Sequence, residues 1–495
     1  MEEPREEMIA RLQNTLKRQF CDYIEINPAL DRSLVSFQAN KQEQAFRWFK
    51  YREGFSAPLI EYVLKHLNLP SGIVLDPFAG SGTTLFVASS IGLDSVGIEL
   101  LPVGCEAMDV RRLLLRTNLG AITAVLEQWQ RTQPWKSSRD EFRFPHLPIT
   151  EGAFPADTER SLCKFITCLI EEEAEVRKVL RFAAMCVLEE ISYTRKDGQY
   201  LRWDSRSGRR QGSRPFHKGP IQSFDVAIDS KLREIREDLE GRNRTMSLFR
   251  SGQEKLGEIE VYSGSCLDIL PRMKDRSFDA IVTSPPYCNR YDYTRTYALE
   301  LALLGTDAQQ LKSLRQAMVS CTVENRPKDD LEVKFGSNRV ECAKRAFQRQ
   351  ELLQAIVTYL EDRKARRLLN NTGIPRMVQN YFWEMTLVIY DCARLLKPGG
   401  SFIMVNDNVR YEGINIPVDL ILSDLAREAG LDVERIWVLP VGKGNSSQQM
   451  RTHGREELRK CIYLWRAAKE KPTTQPDRSP VCHSSDWLHA GAVRS

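Results

Sequence analysis

The chain has 495 residues, 42% hydrophobic and 28% charged, an ordinary globular balance that suits one large domain with insertions or two to three domains. Its 71 basic and 66 acidic residues leave a net charge of +5, too mild to mark a nucleic-acid binder globally, so a local basic patch must carry any such role. The 12 cysteines include no CxxC pair and no Cys/His cluster at zinc spacing, and no apolar run approaches the roughly 20 residues of a membrane helix, so a zinc module and a membrane span are excluded. The mixed, charged N-terminus lacks the apolar core of a signal peptide. A soluble, cytoplasmic protein with reduced thiols is expected, with no metal and no membrane partner.

Residues 5–20 place Ile9, Leu12, Leu16 and Phe20 at helical spacing among charges, which predicts an amphipathic helix. Residues 57–67 predict a second helix, stopped by Pro70-Ser71-Gly72. A strand at 73–75 ends in Asp76. After a glycine-rich turn come a helix at 83–91 and a strand at 95–98 that ends in Glu99. This β-loop-α-β unit is typical of doubly wound sheets.

Residues 106–180 read as mainly helical, and 195–220 break that pattern with Arg, Gly and Ser. Strand signals return at 259–262 and 279–283, and a charged helical insertion follows at 305–375. A helix at 382–396 stops at Lys397-Pro398-Gly399-Gly400, and a strand at 401–405 ends in Asn406 and Asp407 at the expected active-site rim. A helix at 417–429 and strands at 433–438 and 460–465 complete the pattern. The polar tail beyond residue 468 is expected to be disordered.

The turn Asp76-Pro77-Phe78-Ala79-Gly80-Ser81-Gly82-Thr83-Thr84 joins a strand to a helix. Gly80 and Gly82 permit a sharp turn and a close ligand approach. The helix start behind them offers free N–H groups to a carboxylate. Glu99, 23 residues after Asp76, stands where dinucleotide folds hold ribose hydroxyls. Neither GxGxxG nor the phosphate-loop pattern is present.

Thr283-Ser284-Pro285-Pro286-Tyr287 closes the strand at 279–283. Two prolines extend neither ladder nor helix, and their carbonyls are free to accept. Such a rigid acceptor array suits a base amino group, whose lone pair is delocalised into the ring. Ser284 Oγ and the Pro285 carbonyl would hold its two hydrogens, and Tyr287 would stack on the base. A base within a duplex cannot reach such a site, so flipping is implied.

The segment LDPFAGSGTTLFVASSIGLDSVGIELLP, ending at Pro102, together with TSPPY, resembles the amino-group DNA methyltransferases, the S-adenosylmethionine-dependent family acting on cytosine N4 or adenine N6. The resemblance implies a class I methyltransferase fold: an α/β Rossmann-like, seven-stranded, mostly parallel sheet with helices on both faces, here with helical insertions. It implies that Asp76, Phe78, Gly80, Ser81, Gly82 and Thr83 hold the methionine end of S-adenosylmethionine and that Glu99 holds the ribose. Lys50-Tyr51-Arg52-Glu53-Gly54-Phe55-Ser56 resembles the family's other cofactor segment, with Phe55 and Ser56 near the methionine. Ser284, Pro285, Pro286 and Tyr287 take the catalytic motif's place. Ser at its first position tends to accompany cytosine N4, Asp adenine N6, and Asn the glutamine and ribosomal-RNA relatives.

Gly264-Ser265-Cys266-Leu267-Asp268 resembles a segment in which an Asp touches the cofactor adenine. Here Ser265 stands in its place, and either Ser265 or Asp268 fills the role. The 397–400 turn resembles an architectural turn of class I methyltransferases. The polar 442–449 loop and the basic stretch holding Arg202, Arg206, Arg209, Arg210, Arg214 and Lys218, interleaved with Tyr200, Trp203 and Phe216, are candidates to contact DNA. The expected organisation is an N-terminal helical segment (1–44), a core built from 45–110, 255–305 and 376–467, an insertion with a basic loop (111–254) that is the candidate for target recognition, a helical insertion (306–375) that competes for that role, and the tail (468–495). The expected function is site-specific methylation of double-stranded DNA at cytosine N4, paired with a restriction endonuclease or serving as an epigenetic mark. Adenine-N6 methylation, RNA base methylation and a nucleic-acid-binding protein with a vestigial cofactor site are the alternatives.

Overall fold

Eight strands build the central sheet: β1 (Ile24–Ile26), β2 (Ile73–Asp76), β3 (Asp94–Glu99), β4 (Ile259–Ser263), β5 (Phe278–Thr283), β6 (Leu396–Asp407), β7 (Leu431–Val438) and β8 (Lys460–Ala467). The computed structural model describes residues 5–31, 33–51, 54–138, 141–197, 201–210, 215–241, 256–440, 443–444 and 457–469. Tyr200, Arg214, the tail from residue 470 and the 442–449 loop apart from 443–444 lie outside the described residues.

The strand order is β1-β7-β8-β6-β5-β2-β3-β4. Every neighbouring pair is parallel except those made by β8, which runs antiparallel to both β7 and β6. Seven strands are those read from the sequence. The eighth, β1, comes from the N-terminal segment expected to be helical and extends the sheet at one edge. The 397–400 turn is absorbed into β6: Phe278 pairs with Leu396 but Ala280 pairs with Ser401, so the Lys-Pro-Gly-Gly run bulges out of an already started strand.

Both faces of the sheet are buried, which explains the near-continuous apolar runs of its parallel strands. Side chains alternate between two cores, as a period of two requires. Val74, Ala280, Val282, Ile403 and Val405 enter one core. Leu75, Ile281, Phe402 and Met404 enter the other.

Helices α2 (Ala57–Leu67), α3 (Thr83–Ser90) and α4 (Pro102–Leu114) pack on the first face. The first insertion adds α5 (Leu119–Thr132), α6 (Ala156–Cys168), α7 (Ala174–Ile191) and α8 (Phe224–Leu239) to that same core. Its Asp238 accepts from the Trp48 indole at 2.7 Å, the Ala45 amide at 3.0 Å and the Arg47 guanidinium at 2.5 Å. The second face carries α1 (Arg5–Phe20), the helices Ser337–Arg349 and Glu351–Ala365 of the second insertion, and the long helices Ile374–Leu395 and Val418–Glu428. Both insertions are thus packed layers of one body.

The chain runs from β2 to β3 to β4 in one direction across the sheet, and from β5 to β6 in the other. The carboxyl ends of β2 and β5 therefore flank the topological switch point, where open α/β sheets bind ligands.

Candidate active site

Asp76 closes β2 at this switch point and is 1% exposed. Its Oδ1 accepts from Thr283 Oγ1 at 2.6 Å and from the Phe78 amide at 3.1 Å, while Oδ2 accepts from Thr84 Oγ1 at 2.7 Å. Burial pushes its carboxyl up to about 6 against these hydrogen bonds. The side chain does not line the cleft above the loop. It ties the glycine loop to the end of β5 from below.

Gly80 and Gly82 both adopt left-handed backbone, at φ 56° and 83°. A Cβ on Gly82 would sit 2.7 Å from Met108, and one on Gly80 would sit 3.0 Å from the Tyr51 ring. The loop is further pinned by Arg111, a fully buried guanidinium that donates to the Ser81 and Ala45 carbonyls. No sequence pattern marks Arg111, because an arginine on an amphipathic helix ordinarily points to water.

Above the loop opens a cleft of about 730 Å³, open solvent at its mouth included. Phe55, Phe78, Gly80, Ser81, Thr83, Glu99, Ser265, Ser284 and Pro286 line it, as expected. Tyr51, from the 50–56 segment, joins them, as do Tyr293, Met318 and Val319, which carry no sequence signal. Tyr51 stacks on Tyr297 at 5.1 Å, and behind that stack Lys196 forms a buried pair with Glu300 at 2.5 Å.

Glu99 Oε2 accepts from the Gly80 amide and Oε1 from the Leu101 amide, each at 2.7 Å. Burial pushes its carboxyl up to about 7. Each carboxylate oxygen keeps a lone pair, so the group can still accept from vicinal hydroxyls. Apolar walls for a purine, a carboxylate for a ribose and the start of α3 for an amino-acid carboxylate fit S-adenosylmethionine.

Four expected cofactor residues stand apart from the cleft: Asp76, beneath the glycine loop, and Ser56, Gly82 and Asp268. Ser56 is fully buried as the N-cap of α2, accepting from the Leu59 amide at 3.3 Å and donating to the Leu34 carbonyl. Gly82 shapes the loop from behind. Asp268 points outward to Lys334 at 2.7 Å, so between the two candidates it is Ser265 that faces the cleft. Ser265 Oγ also donates to the Ala317 carbonyl at 2.7 Å.

A second cavity, about 650 Å³ with its mouth, shares Gly54, Phe55, Ser284 and Tyr293 with the first. Tyr287, Asn289, Tyr291, Asp407 and Lys460 complete its polar and aromatic lining. Ser284 Oγ donates to Tyr287 Oη at 3.1 Å, and Pro285 is buried beside them. The serine thus stands where the two cavities meet.

The basic stretch forms a hairpin, Thr194–Lys196 with Leu201–Trp203, followed by a loop. Several of its cations are spent internally. Arg209 lies over the Trp203 ring at 3.7 Å and donates to the Glu151 carbonyl at 2.7 Å. Arg206 pairs with buried Asp204 at 2.7 Å. Lys218 donates to the Glu189 and Ser192 carbonyls, and burial lowers its pKa to about 8. Arg202 and Arg210 are exposed, Arg202 stacking over Phe216 at 4.2 Å.

Helices on both faces of a mostly parallel sheet, with a ligand cleft at the switch point, define a class I methyltransferase fold. Residues 22–108 match the family model described as DNA methylase. Over 459 residues the chain is 48% identical to the type II methyltransferase M.AvaI of Nostoc sp., covering 92% of this chain and 94% of that protein. It is 38% identical over 478 residues to the type II methyltransferase M.BsoBI of Geobacillus stearothermophilus, covering 92% and 91%. A shorter match, 42% over 62 residues, is to the type II methyltransferase M.MjaII of Methanocaldococcus jannaschii. The chain belongs to the type II methyltransferase family. Among the described residues no helix is long and apolar enough to cross a membrane, and no group of His, Cys, Asp or Glu is arranged to hold a metal ion.

Proposed function

We propose that this chain methylates the exocyclic amino group of cytosine N4 in double-stranded DNA, using S-adenosylmethionine, as the modification partner of a restriction endonuclease. The observation that supports this is the meeting of two cavities at Ser284, one shaped for the cofactor and one lined for a planar base. The names of its relatives agree with a role in a type II system.

The cofactor, when bound, supplies an electrophilic methyl group. The protein does the rest by position. Glu99 and the turn at Gly80 hold the cofactor in the cleft. Ser284 Oγ accepts a hydrogen of the target amine and, with the Pro285 carbonyl, biases its nitrogen toward a tetrahedral shape. Tyr287, Tyr291 and Tyr293 offer aromatic faces for a base swung out of the duplex. Arg202 and Arg210 are exposed and neutralise backbone phosphates.

The test is to incubate DNA with methyl-labelled cofactor, digest it to nucleosides and identify the labelled base. Label in N4-methylcytosine is the expected result. Label in N6-methyladenine overturns the choice of base, and label in RNA alone overturns the choice of DNA. Failure to bind S-adenosylmethionine in calorimetry overturns the enzyme reading.

A further inference from the structure

The pocket on the target side of Ser284 holds two charged side chains, Lys460 and Asp407. They are register partners across β6 and β8, with Lys460 Nζ 3.5 Å from Asp407 Oδ1. The same ammonium lies 5.7 Å from the centre of the Tyr287 ring. Among the described residues it is the sole cation lining this pocket.

An ammonium has three N–H donors and no acceptor. Asp407 engages the ammonium as an ion-pair partner and Tyr287 lies beside it, so N–H donors remain for a ligand. Along the wall Tyr287 stands between the Ser284 hydroxyl, which donates to its phenol, and the Lys460 ammonium. Cytosine presents a matching edge: an amino donor, the ring-nitrogen acceptor and the 2-carbonyl acceptor. Adenine presents an amino donor and a ring-nitrogen acceptor, then a carbon-bound hydrogen. With the amino group at Ser284, the ammonium at the far end of the row meets an oxygen in cytosine and a C–H in adenine.

We propose that Lys460, positioned by Asp407, donates a hydrogen bond to the 2-carbonyl oxygen of the target cytosine and so selects cytosine over adenine. This rests on the cytosine reading above. A site built to bond a ligand oxygen rejects the base that lacks it, because the buried donor is then left without a partner.

The test uses the full chain and duplexes carrying its mapped methylation site. One duplex has cytosine at the target. In another the target is a 2-aminopyridine C-nucleoside, which keeps the amino group and ring nitrogen but has no 2-carbonyl. The wild-type protein is expected to lose about 10- to 100-fold in kcat/KM on the second duplex, the range for a hydrogen bond to a charged group. K460M is expected to lose a similar factor on cytosine, to lose nothing further on the analogue, and to bind S-adenosylmethionine as tightly as wild type. Equal wild-type rates on the two duplexes overturn the assignment, and that arm does not depend on any variant folding. K460M with unchanged kcat/KM on cytosine also overturns it. If the wild-type product is N6-methyladenine, the cytosine reading itself fails and takes this inference with it. If the product is N4-methylcytosine and the analogue is used equally well, only the role of Lys460 fails.

Discussion

Thr283 Oγ1 donates to Asp76 Oδ1 at 2.6 Å across 207 residues of sequence. The two close adjacent parallel strands at the switch point, so this one bond sets the Ser-Pro-Pro-Tyr segment against the glycine loop. Thr283→Val removes a donor from a buried carboxylate. Stability should fall by about 1–3 kcal/mol in denaturant titration. The single-turnover rate should fall by roughly 10- to 100-fold as the serine shifts relative to the cofactor. Thr283→Ser should restore most of both.

Ser284 stands where the two cavities meet, and the proposed reaction places its hydroxyl on the base. Ser284→Ala should lower kcat by about 100-fold, the scale of losing one preorganised polar group at a reacting centre. Cofactor affinity in calorimetry should stay within a few-fold of wild type. An equal loss of cofactor affinity would place the hydroxyl in the cofactor cleft instead.

Glu99 is a carboxyl whose pKa burial raises from 4.5 to about 7 in the folded chain. The folded state therefore binds more protons than the unfolded state between those values. The stability tied to this group is fully present below about pH 4.5 and is lost as pH rises through about 7. Glu99→Gln should flatten that part of the pH–stability curve. Ribose hydroxyls favour the ionised acid, so cofactor binding at pH 6.5 should release protons, seen as buffer-dependent enthalpy in calorimetry. The release should vanish in Glu99→Gln and above about pH 8.

Arg202 and Arg210 are exposed, whereas Arg209 is locked onto Trp203 and the Glu151 carbonyl. Replacing Arg202 and Arg210 together by Ala should weaken DNA binding and reduce the slope of log affinity against log salt by roughly 1–2. Arg209→Ala should instead lower thermal stability by about 1 kcal/mol through the lost cation–π contact, with little change in salt slope.

Most of the sheet was legible in the sequence because its signals are local. A three-residue apolar run before a glycine turn, or an Ala-Ile-Val run before a Ser-Pro-Pro, reports a strand without knowing its neighbours. β1 escaped this reading, since Ile24-Glu25-Ile26 is too short to show a period and gains its identity only by pairing with β7. The insertions escaped it as well. Their helices are amphipathic on any reading, but nothing in them states that they share cores with the two faces of the sheet.

The Ser284 segment, the Gly80 turn and Glu99 were determined by sequence alone, because their chemistry depends on backbone conformation and spacing within a few residues. What surrounds them was decided only by the tertiary structure. Strand order brings Lys460 and Asp407 beside Ser284, and packing sends Asp268 outward to Lys334 while Ser265 faces the cleft. It also decides which cations of the basic hairpin face solvent, because carbonyls of neighbouring segments and buried Asp204 take up the nearest Arg and Lys. Those relationships join residues far apart in the chain, and only the free energy of burying both sheet faces at once selects among the pairings that the same composition would allow.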